Sequence, residues 1–178
     1  VRQGAGRGAG GGVASVGSAV AGFAPGDEVF GIAPGAFAEY AVASADKLAL
    51  KPRSLDFAHA ALLPVSGLTA LQALTDVGRL QPGQRVLVLG ASGGVGSLAV
   101  QLAKALGAEV TGVCGPTKVD LVTALGADRV LDHTRDDFAD GTEHYDLILD
   151  IGGNPSPSRL ARALRPGGSA VLVGGDGQ

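Results

Sequence analysis

The sequence predicts an α/β fold, a doubly wound parallel sheet that follows a smaller β-rich region. From residue 85 onward, apolar runs of strand length alternate with segments of helical periodicity. The first strand of this series runs into a cluster of glycines, in "LGASGGVGS", before the first helix. Between residues 13 and 51, short β-like pieces are separated by turn signals instead.

Composition supports a globular protein without nucleic-acid or membrane partners. The chain has 178 residues, of which 46% are apolar and 17% charged, with a net charge of −3. This balance gives no electrostatic reason to bind nucleic acid or an anionic membrane. A single cysteine, Cys114, and three histidines exclude an internal disulfide and a cysteine-rich zinc site. We therefore predict a cytoplasmic location.

The first 54 residues divide into a leader and part of a β domain. The opening "VRQGAGRGAGGG", residues 1–12, has no hydrophobic period and predicts a leader that is either disordered or weakly ordered and atypical. Residues 13–54 contain the β-like pieces "APGDEVFGI", "GAFAEYAV" and "DKLALKP". The uncharged stretch 8–25 resembles a signal peptide only weakly, because it has six glycines and no leucine or isoleucine.

The second domain is predicted to span residues 55–178 and to begin with two helices. Ser54 can cap the first helix, and Pro64 and Gly67 separate it from the second. The nearly uncharged stretch 56–75 is interrupted by His59, Pro64 and Gly67, which favours buried helices over a membrane span.

The alternating region predicts a five-stranded parallel sheet covered on both faces. Its predicted strands are 85–89, 109–114, 129–132, 145–151 and 169–173. The predicted helices are 94–106, 117–125, 158–164 and a shorter one at 135–139. Right-handed crossovers then predict the strand order 3-2-1-4-5.

The glycine turn has the context of a dinucleotide fingerprint. The βαβ unit from Arg85 to Cys114 has the length expected of the Rossmann motif. Without Cβ atoms at Gly93, Gly94 and Gly96, a pyrophosphate can contact backbone N–H groups at the positive end of the helix. The alternative is a tight strand–helix turn that binds nothing. The helix after the turn is predicted to end at Gly107. Its apolar face consists of Val95, Leu98, Ala99, Leu102 and Leu106.

The end of the second strand favours NADPH over NADH. An NAD site places a carboxylate there, about 20 residues beyond the glycines. This strand ends in Cys114 and Gly115, and its only acid, Glu109, is at the opposite end. Lys118 can pair with a 2′-phosphate, although Asp120 could hold it in a local ion pair. We expect a preference of about 1–2 kcal/mol, with NADH still able to bind.

Several motifs together resemble one family. "LGASGGVGSLAVQLAKALGA", "GLTALQAL", "GDEVFG…GAFAEYAV" and "LRPGGSAVLVG" are similar to the medium-chain dehydrogenase/reductases, in particular the zinc-independent quinone oxidoreductase branch related to zeta-crystallin. In that branch A-x-G-G-V-G is an ordinary form of the glycine motif, which accounts for Ala91 in place of the first glycine. The resemblance covers residues 13–176 in order.

The resemblance implies a Rossmann domain at 55–178 and part of a GroES-like β domain at 13–54, with NADPH between two such domains. It implies that Ser92, Gly93, Gly94, Val95 and Gly96 hold the pyrophosphate. Gly115, Lys118 and His133 would lie near the adenosine half, and Thr69, Asn154, Val173 and Gly174 complete the implied cofactor site. Each of the polar residues has a plainer alternative, as a turn, cap or surface residue. Cys114 is most simply a small buried residue.

The implied activity is hydride transfer from NADPH to a small electron acceptor, a quinone or an α,β-unsaturated carbonyl, without a metal. The catalytic cysteine, the G-H-E motif and the four-cysteine lobe of zinc alcohol dehydrogenases do not occur in this sequence. The sequence identifies no residue that would carry out the proton chemistry. The resemblance also implies that full-length relatives are homodimers. The sequence does not match the beginning that is typical of the family, and it stops after the fifth predicted strand. We therefore expect it to be a fragment that is only a marginal catalyst by itself.

Three other functions remain as alternatives. One is a non-catalytic NADPH-binding protein. "YDLILD" followed by "LRPGGSAVLVG" also resembles a class I methyltransferase, but Leu89 and Cys114 stand where its acidic residues belong. A short-chain dehydrogenase would need Tyr-x-x-x-Lys, which neither Tyr40 nor Tyr145 provides.

Overall fold

The computed structural model describes residues 7–152 and 155–174. Within them, one compact unit ends at Leu68 and a second begins at Thr69. The domain border proposed at residues 54–55 stays a prediction, because compactness by itself does not define a domain.

The first unit contains an antiparallel sheet that includes part of the predicted leader. Strands β1 (Gly8–Gly12), β2 (Glu28–Ile32) and β3 (Leu48–Leu50) are arranged in that order. Of the two alternatives predicted for the leader, disorder does not hold at Gly8–Gly12, since this strand pairs with β2. Its glycines have a physical reason. A Cβ at Gly8 would overlap the carbonyl oxygen of Ala61 in helix α1 (Phe57–Leu62).

The segment "GAFAEYAV" does not form the predicted strand. Residues 35–42 have no regular structure, and Phe37 and Tyr40 are 83% and 79% exposed. Alternating apolar residues indicate a strand only where a neighbouring strand accepts their backbone hydrogen bonds. Among the described residues, no strand pairs with this segment.

The predicted pair of helices is one continuous helical stretch from Phe57 to Val77. Asp56, not Ser54, is its N-cap, and the Asp56 carboxylate accepts from the His59 backbone N–H at 2.8 Å. Pro64 and Gly67 do not interrupt it, because the chain widens there to a π-helical turn in which Leu68 N–H donates to Leu63 O. A second π turn covers Ala73–Val77, after α2 (Leu68–Gln72).

This stretch is also long and apolar enough to span a bilayer, with a mean hydropathy of 1.4. A core helix of a water-soluble protein can have the same length and composition. Ala70, Ala73 and Leu74 pack into the hydrophobic core of the second unit. This part of the helix therefore contacts protein.

The second unit contains the predicted parallel sheet, and its strand order is confirmed. In chain numbering the order is β6-β5-β4-β7-β8, which equals 3-2-1-4-5 within the sheet. The strands are β4 (Arg85–Leu89), β5 (Glu109–Cys114), β6 (Arg129–Asp132), β7 (Tyr145–Asp150) and β8 (Leu164–Leu172).

Helices cover the sheet on both faces, as continuous apolar strands require. Val86 and Val88 of β4 face one hydrophobic cluster, and Leu87 and Leu89 face the other. The helices are α3 (Gly94–Ala105), α4 (Val119–Ala124) and α5 (Pro157–Ala163). The buried residues of α3 are smaller than those of the predicted apolar face: Gly96, Ala99, Val100 and Ala103. The larger predicted residues are only partly buried and pack at the margin of the core: Val95, Leu98, Leu102 and Leu106.

The short helix predicted at 135–139 is absent, and turns take its place. Aspartate side chains accept the backbone N–H groups that a helix would use. The Asp137 carboxylate accepts from Ala139 N–H at 3.0 Å, and the Asp140 carboxylate accepts from Thr142 N–H at 2.8 Å. Local Asx turns of this kind compete directly with helix formation.

Candidate functional site

The carboxyl ends of the five parallel strands meet at one edge of the sheet. The two crossovers from β4 and β6 lead to opposite sides of β4, because β5 and β7 are its two neighbours. This strand is therefore the point where the winding direction changes, and ligands of doubly wound sheets bind in the crevice outside it. The glycine turn, residues 90–96, lies at this position between β4 and α3.

Gly90 and Gly96 are needed to form the turn itself. Gly90 has a φ of +82°, and a Cβ there would be 2.8 Å from Gly152 N. A Cβ at Gly96 would overlap the carbonyl oxygen of Gly90. The sequence-based interpretation did not include Gly90 in the motif. The sequence signal for Gly90 is the regular spacing Gly90-x-x-Gly93-x-x-Gly96. This spacing begins one residue before Ala91, where the dinucleotide motif was taken to start.

Gly93 leaves the start of α3 open to a ligand. It is the N-cap of the helix, and no side chain accepts from the first-turn N–H groups. The N–H groups of Gly94, Val95 and Gly96 have no acceptor within the helix, because they belong to its first turn. A Cβ at Gly93 would have only Gly90 O nearby, at 3.4 Å. Open N–H groups at a positive helix end are suited to an oxyanion such as a pyrophosphate.

Cys114, the last residue of β5, points into the protein. It is 4% exposed and belongs to the hydrophobic cluster of that face. Burial raises the pKa of the Cys114 thiol, and the nearby Asp132 carboxylate raises the pKa further. The thiol is therefore neutral at physiological pH and acts as a small apolar group, as the sequence predicts.

Gly115, by contrast, faces the end of β6. A Cβ at Gly115 would be 3.5 Å from the Nε2 atom of His133, and no other atom lies as near. The backbone N–H of His133 donates to the carbonyl oxygen of Cys114 at 3.1 Å. The His133 ring therefore lies beside the position where an NAD-binding protein carries its ribose-binding acid.

Lys118 closes the short 3₁₀ turn that follows Gly115. Its backbone N–H donates to Gly115 O at 3.0 Å, and its side chain is exposed. Among the ion pairs of the described residues, none joins Lys118 to Asp120. The ammonium group is thus available to a ligand at the end of β5.

The ends of β7 and β8 complete this edge. The N–H of Val173 donates to Asp150 O at 2.8 Å, and Gly174 follows with a φ of +73°. Asn154 lies outside the described residues. Thr69 is on α2, one residue before the buried Ala70, and not at a strand end. The predicted residues that the structure brings to this edge are Ser92, Gly93, Gly94, Val95, Gly96, Gly115, Lys118, His133, Val173 and Gly174.

The second unit also contains a cavity, which lies away from this edge. A cavity of about 150 Å³ is lined by Arg129, Phe138 and Tyr145, among others. Arg129 and Tyr145 begin their strands, so the cavity reaches the opposite, amino edge of the sheet. Within residues 7–152 and 155–174, no group of three or more His, Cys, Asp or Glu could hold a metal ion.

Comparison with known proteins identifies dehydrogenase-like relatives. Residues 94–178 match the family described as zinc-binding dehydrogenase. The chain is 42% identical over 162 residues to the mitochondrial NAD(P)H oxidoreductase RTN4IP1 of Mus musculus, and 37% identical over 175 residues to 2-methylene-furan-3-one reductase of Solanum lycopersicum. It superposes on the quinone oxidoreductase of Coxiella burnetii with a TM-score of 0.88 at 35% identity.

These alignments include most of this chain but less of each relative. They cover 85% and 92% of the chain for the mouse and tomato proteins, and 97% for the bacterial structure. The chain spans only 41%, 44% and 56% of those three proteins, respectively.

Proposed function

Because this chain belongs to the medium-chain dehydrogenase/reductase superfamily, we propose that it binds NADPH at the carboxyl edge of its parallel sheet. We further propose that the whole protein passes a hydride from NADPH to a quinone or an α,β-unsaturated carbonyl compound. The single observation that carries the proposal is the uncapped start of α3 behind Gly93, at the strand where the winding direction changes.

The residues at this edge fit the parts of the cofactor. Ser92, together with the N–H groups of residues 93–96, would hold the pyrophosphate. Gly115, Lys118 and His133 would contact the adenosine ribose and its 2′-phosphate. Val173 and Gly174 would border the nicotinamide, and Thr69 and Asn154 would complete that side. When bound, the cofactor supplies the hydride, while the protein orients the two reactants and excludes water.

The preference for NADPH rests on charge. No carboxylate stands at Cys114 or Gly115, where β5 ends, and the exposed Lys118 has no ion-pair partner among the described residues. A 2′-phosphate would therefore meet the Lys118 ammonium there. The acids of this region lie on other elements, Asp132 at the end of β6 and Asp120 in the first turn of α4. NADH, which lacks this phosphate, would bind more weakly but by the same pyrophosphate contacts.

The substrate class rests on what the relatives are named for. The tomato protein's name describes a methylene group conjugated with a ring ketone, and the Coxiella protein is named for quinones. Conjugated ketones and quinones are both electron-poor compounds that accept a hydride at carbon or oxygen. The proposal includes catalysis without zinc, a cytoplasmic location and a homodimeric whole protein.

The proposal is tested by nucleotide binding and turnover. Since the chain has no tryptophan, the fluorescence of the reduced nicotinamide itself reports binding of NADPH and NADH. We expect NADPH to bind about 5- to 30-fold more tightly than NADH, and Lys118→Ala to remove most of that difference. Consumption of NADPH with a quinone or an enone would distinguish an enzyme from a non-catalytic binding protein. No measurable binding of either nucleotide would overturn the proposal.

A further inference from the structure

We propose that Gly152 is a positioning residue for the glycine turn, residues 90–96. Gly152 follows β7 and does not belong to that turn. Its bare backbone nevertheless sets where the turn lies, and so how well the start of α3 can hold a pyrophosphate. This inference rests on the proposed function, because it concerns the residue that shapes the proposed phosphate site.

Gly152 and Gly90 contact each other backbone to backbone. The N–H groups of Ile151 and Gly152 both donate to Leu89 O, at 3.1 and 3.0 Å. A Cβ at Gly90 would be 2.8 Å from Gly152 N, and a Cβ at Gly152 would be 3.3 Å from both the Cα and the N atom of Gly90. Each glycine therefore leaves room for the backbone of the other.

Gly90 connects this contact to the start of α3. Its carbonyl oxygen accepts from Gly93 N–H at 3.0 Å. The same oxygen is the atom that a Cβ at Gly96 would overlap, and it is the nearest atom to a Cβ at Gly93. A shift of the Gly90 backbone therefore moves the N-cap of α3, together with the first-turn N–H groups that have no acceptor within the helix.

The turn is also held on the side away from Gly152. The N–H groups of Gly90 and Ala91 both donate to Val113 O of β5, at 3.1 and 2.9 Å. Ala91 is fully buried, and a Cβ at Gly112 would be only 3.0 Å from the Ala91 Cβ. Because hydrogen bonds hold the turn on one side and residue 152 on the other, a methyl group at residue 152 must change the geometry of the turn.

The backbone of residue 152 itself can carry a side chain. Its φ lies outside the left-handed region, so an L residue can adopt it. Among the described residues, and apart from its chain neighbours, no atom outside Gly90 would lie nearer than 3.5 Å to a Cβ there. The effect of a substitution therefore comes from the contact with Gly90. Binding sites require their groups to be placed within about 0.5 Å, so even a small shift of the turn should weaken binding.

The test measures dissociation constants of NADPH and NADH by nicotinamide fluorescence in the wild type, Gly152→Ala and Gly152→Ser. In both variants we expect both constants to rise roughly 3- to 10-fold. Their ratio should not change, because the two nucleotides carry the same pyrophosphate. Gly168→Ala is the matched control, since its Cβ would be 2.9 and 3.0 Å from the carbonyl oxygens of Tyr145 and Asp146, at the amino edge of the sheet. It should lower the unfolding free energy and leave both dissociation constants unchanged.

A second measurement separates positioning from direct obstruction of the nucleotide. In the nucleotide-free chain, the NMR resonance of the Gly93 amide should shift in Gly152→Ala, because Gly90 O is its acceptor, and should stay in place in Gly168→Ala. A Gly93 resonance that does not move, unchanged dissociation constants, a changed ratio, or failure of both Gly152 variants to fold would each overturn this inference while leaving the proposed function intact. Failure of the wild type to bind either nucleotide would overturn the proposed function and this inference with it.

Discussion

Gly93 and Gly96 stand three residues apart in one turn, yet a side chain would meet different surroundings at each. At Gly96 a Cβ would overlap the carbonyl oxygen of Gly90, a backbone atom that cannot move without opening the turn. At Gly93 the nearest atom would be that same oxygen at 3.4 Å, an ordinary contact. Gly96 is therefore required by the fold, whereas Gly93 is required only if a ligand approaches the backbone.

Gly93→Val should weaken NADPH binding and leave the fold intact. The branched side chain fits the extended backbone of the N-cap, at φ −78° and ψ 174°, but occupies space that the pyrophosphate would need. We expect at least a 10-fold rise in the NADPH dissociation constant, measured by calorimetry, with about 1 kcal/mol or less change in unfolding free energy.

Gly96→Ala is the matched control for this substitution. It should lower the unfolding free energy by about 1–3 kcal/mol, because the turn must shift to accept a methyl group. Unchanged NADPH affinity in Gly93→Val would contradict the assignment of the phosphate site.

Gly115→Asp should shift the cofactor preference toward NADH. Gly115 has φ −79° and ψ 161°, which any residue can adopt, and the new carboxylate would point toward the ribose position beside His133. It would accept from the ribose hydroxyls and repel a 2′-phosphate, as the acid of NAD sites does. We expect at least a 10-fold loss of NADPH affinity relative to NADH.

Gly115→Asn separates charge from size in this experiment, because its amide has the same shape without the charge. It should change the ratio of the two affinities less than the aspartate does. Equal ratios in the two variants would show that charge at this position does not decide the preference.

Among the elements of the second unit, α3 and β5 are held together by Asp128, just before β6. The Asp128 carboxylate accepts from Val110 N–H at 2.7 Å and from the Lys104 ammonium at 2.7 Å. Burial by itself raises the pKa of this carboxyl, but the hydrogen bonds from Lys104 and Val110 outweigh it, so the pKa of Asp128 is lowered. The charged form therefore stabilises the packing of this helix beside its strand.

Asp128→Ala should destabilise the chain by about 1–2 kcal/mol, because Val110 N–H loses its acceptor. Since the folded-state pKa lies below the ordinary value of 3.8, the contribution of Asp128 is present above that value and is lost as pH falls through the folded-state pKa. Urea unfolding at about pH 7 and pH 3 measures both effects.

The difference between wild type and Asp128→Ala should shrink at the lower pH. Asp120→Ala is the control, since Asp120 is exposed in the first turn of α4 and should have little effect at either pH. A difference that is the same at both pH values would show that the charge of Asp128 does not contribute.

At the scale of the whole molecule, the parallel sheet ends in a strand with an exposed side chain. Within the described residues, β8 pairs only with β7, and Leu172 is 69% exposed. An unpaired strand edge offers N–H and C=O groups to another chain, and an apolar side chain adds to the attraction. The chain should therefore associate through β8 at high concentration.

Leu172→Lys should reduce this association, because a charge at the edge strand opposes pairing with a second copy. Light scattering over a range of concentrations measures the change. Leu121→Lys is the control, since Leu121 is 44% exposed but lies on helix α4, which has no open edge. If both substitutions reduce association equally, general charge and not the strand edge is responsible.

The sequence by itself determined the parallel sheet, its order and the position of the glycine turn. Those features depend on local periodicity, on glycine content and on the handedness of crossovers, all of which are visible along the chain. The predicted boundary of α3 also agrees with the structure to within one residue, because Gly107, with a φ of +84°, ends that helix in the expected way.

Only the tertiary structure decided the features that depend on neighbours distant in sequence. The strand Gly8–Gly12 has no hydrophobic pattern and exists because β2 pairs with it and α1 packs closely on its glycines. "GAFAEYAV" has the pattern of a strand and no partner among the described residues. Cys114 and Gly115 are adjacent in sequence, but the fold directs the first into the core and opens the second toward His133. Backbone pairing and burial are properties of the whole fold, so local sequence cannot specify them.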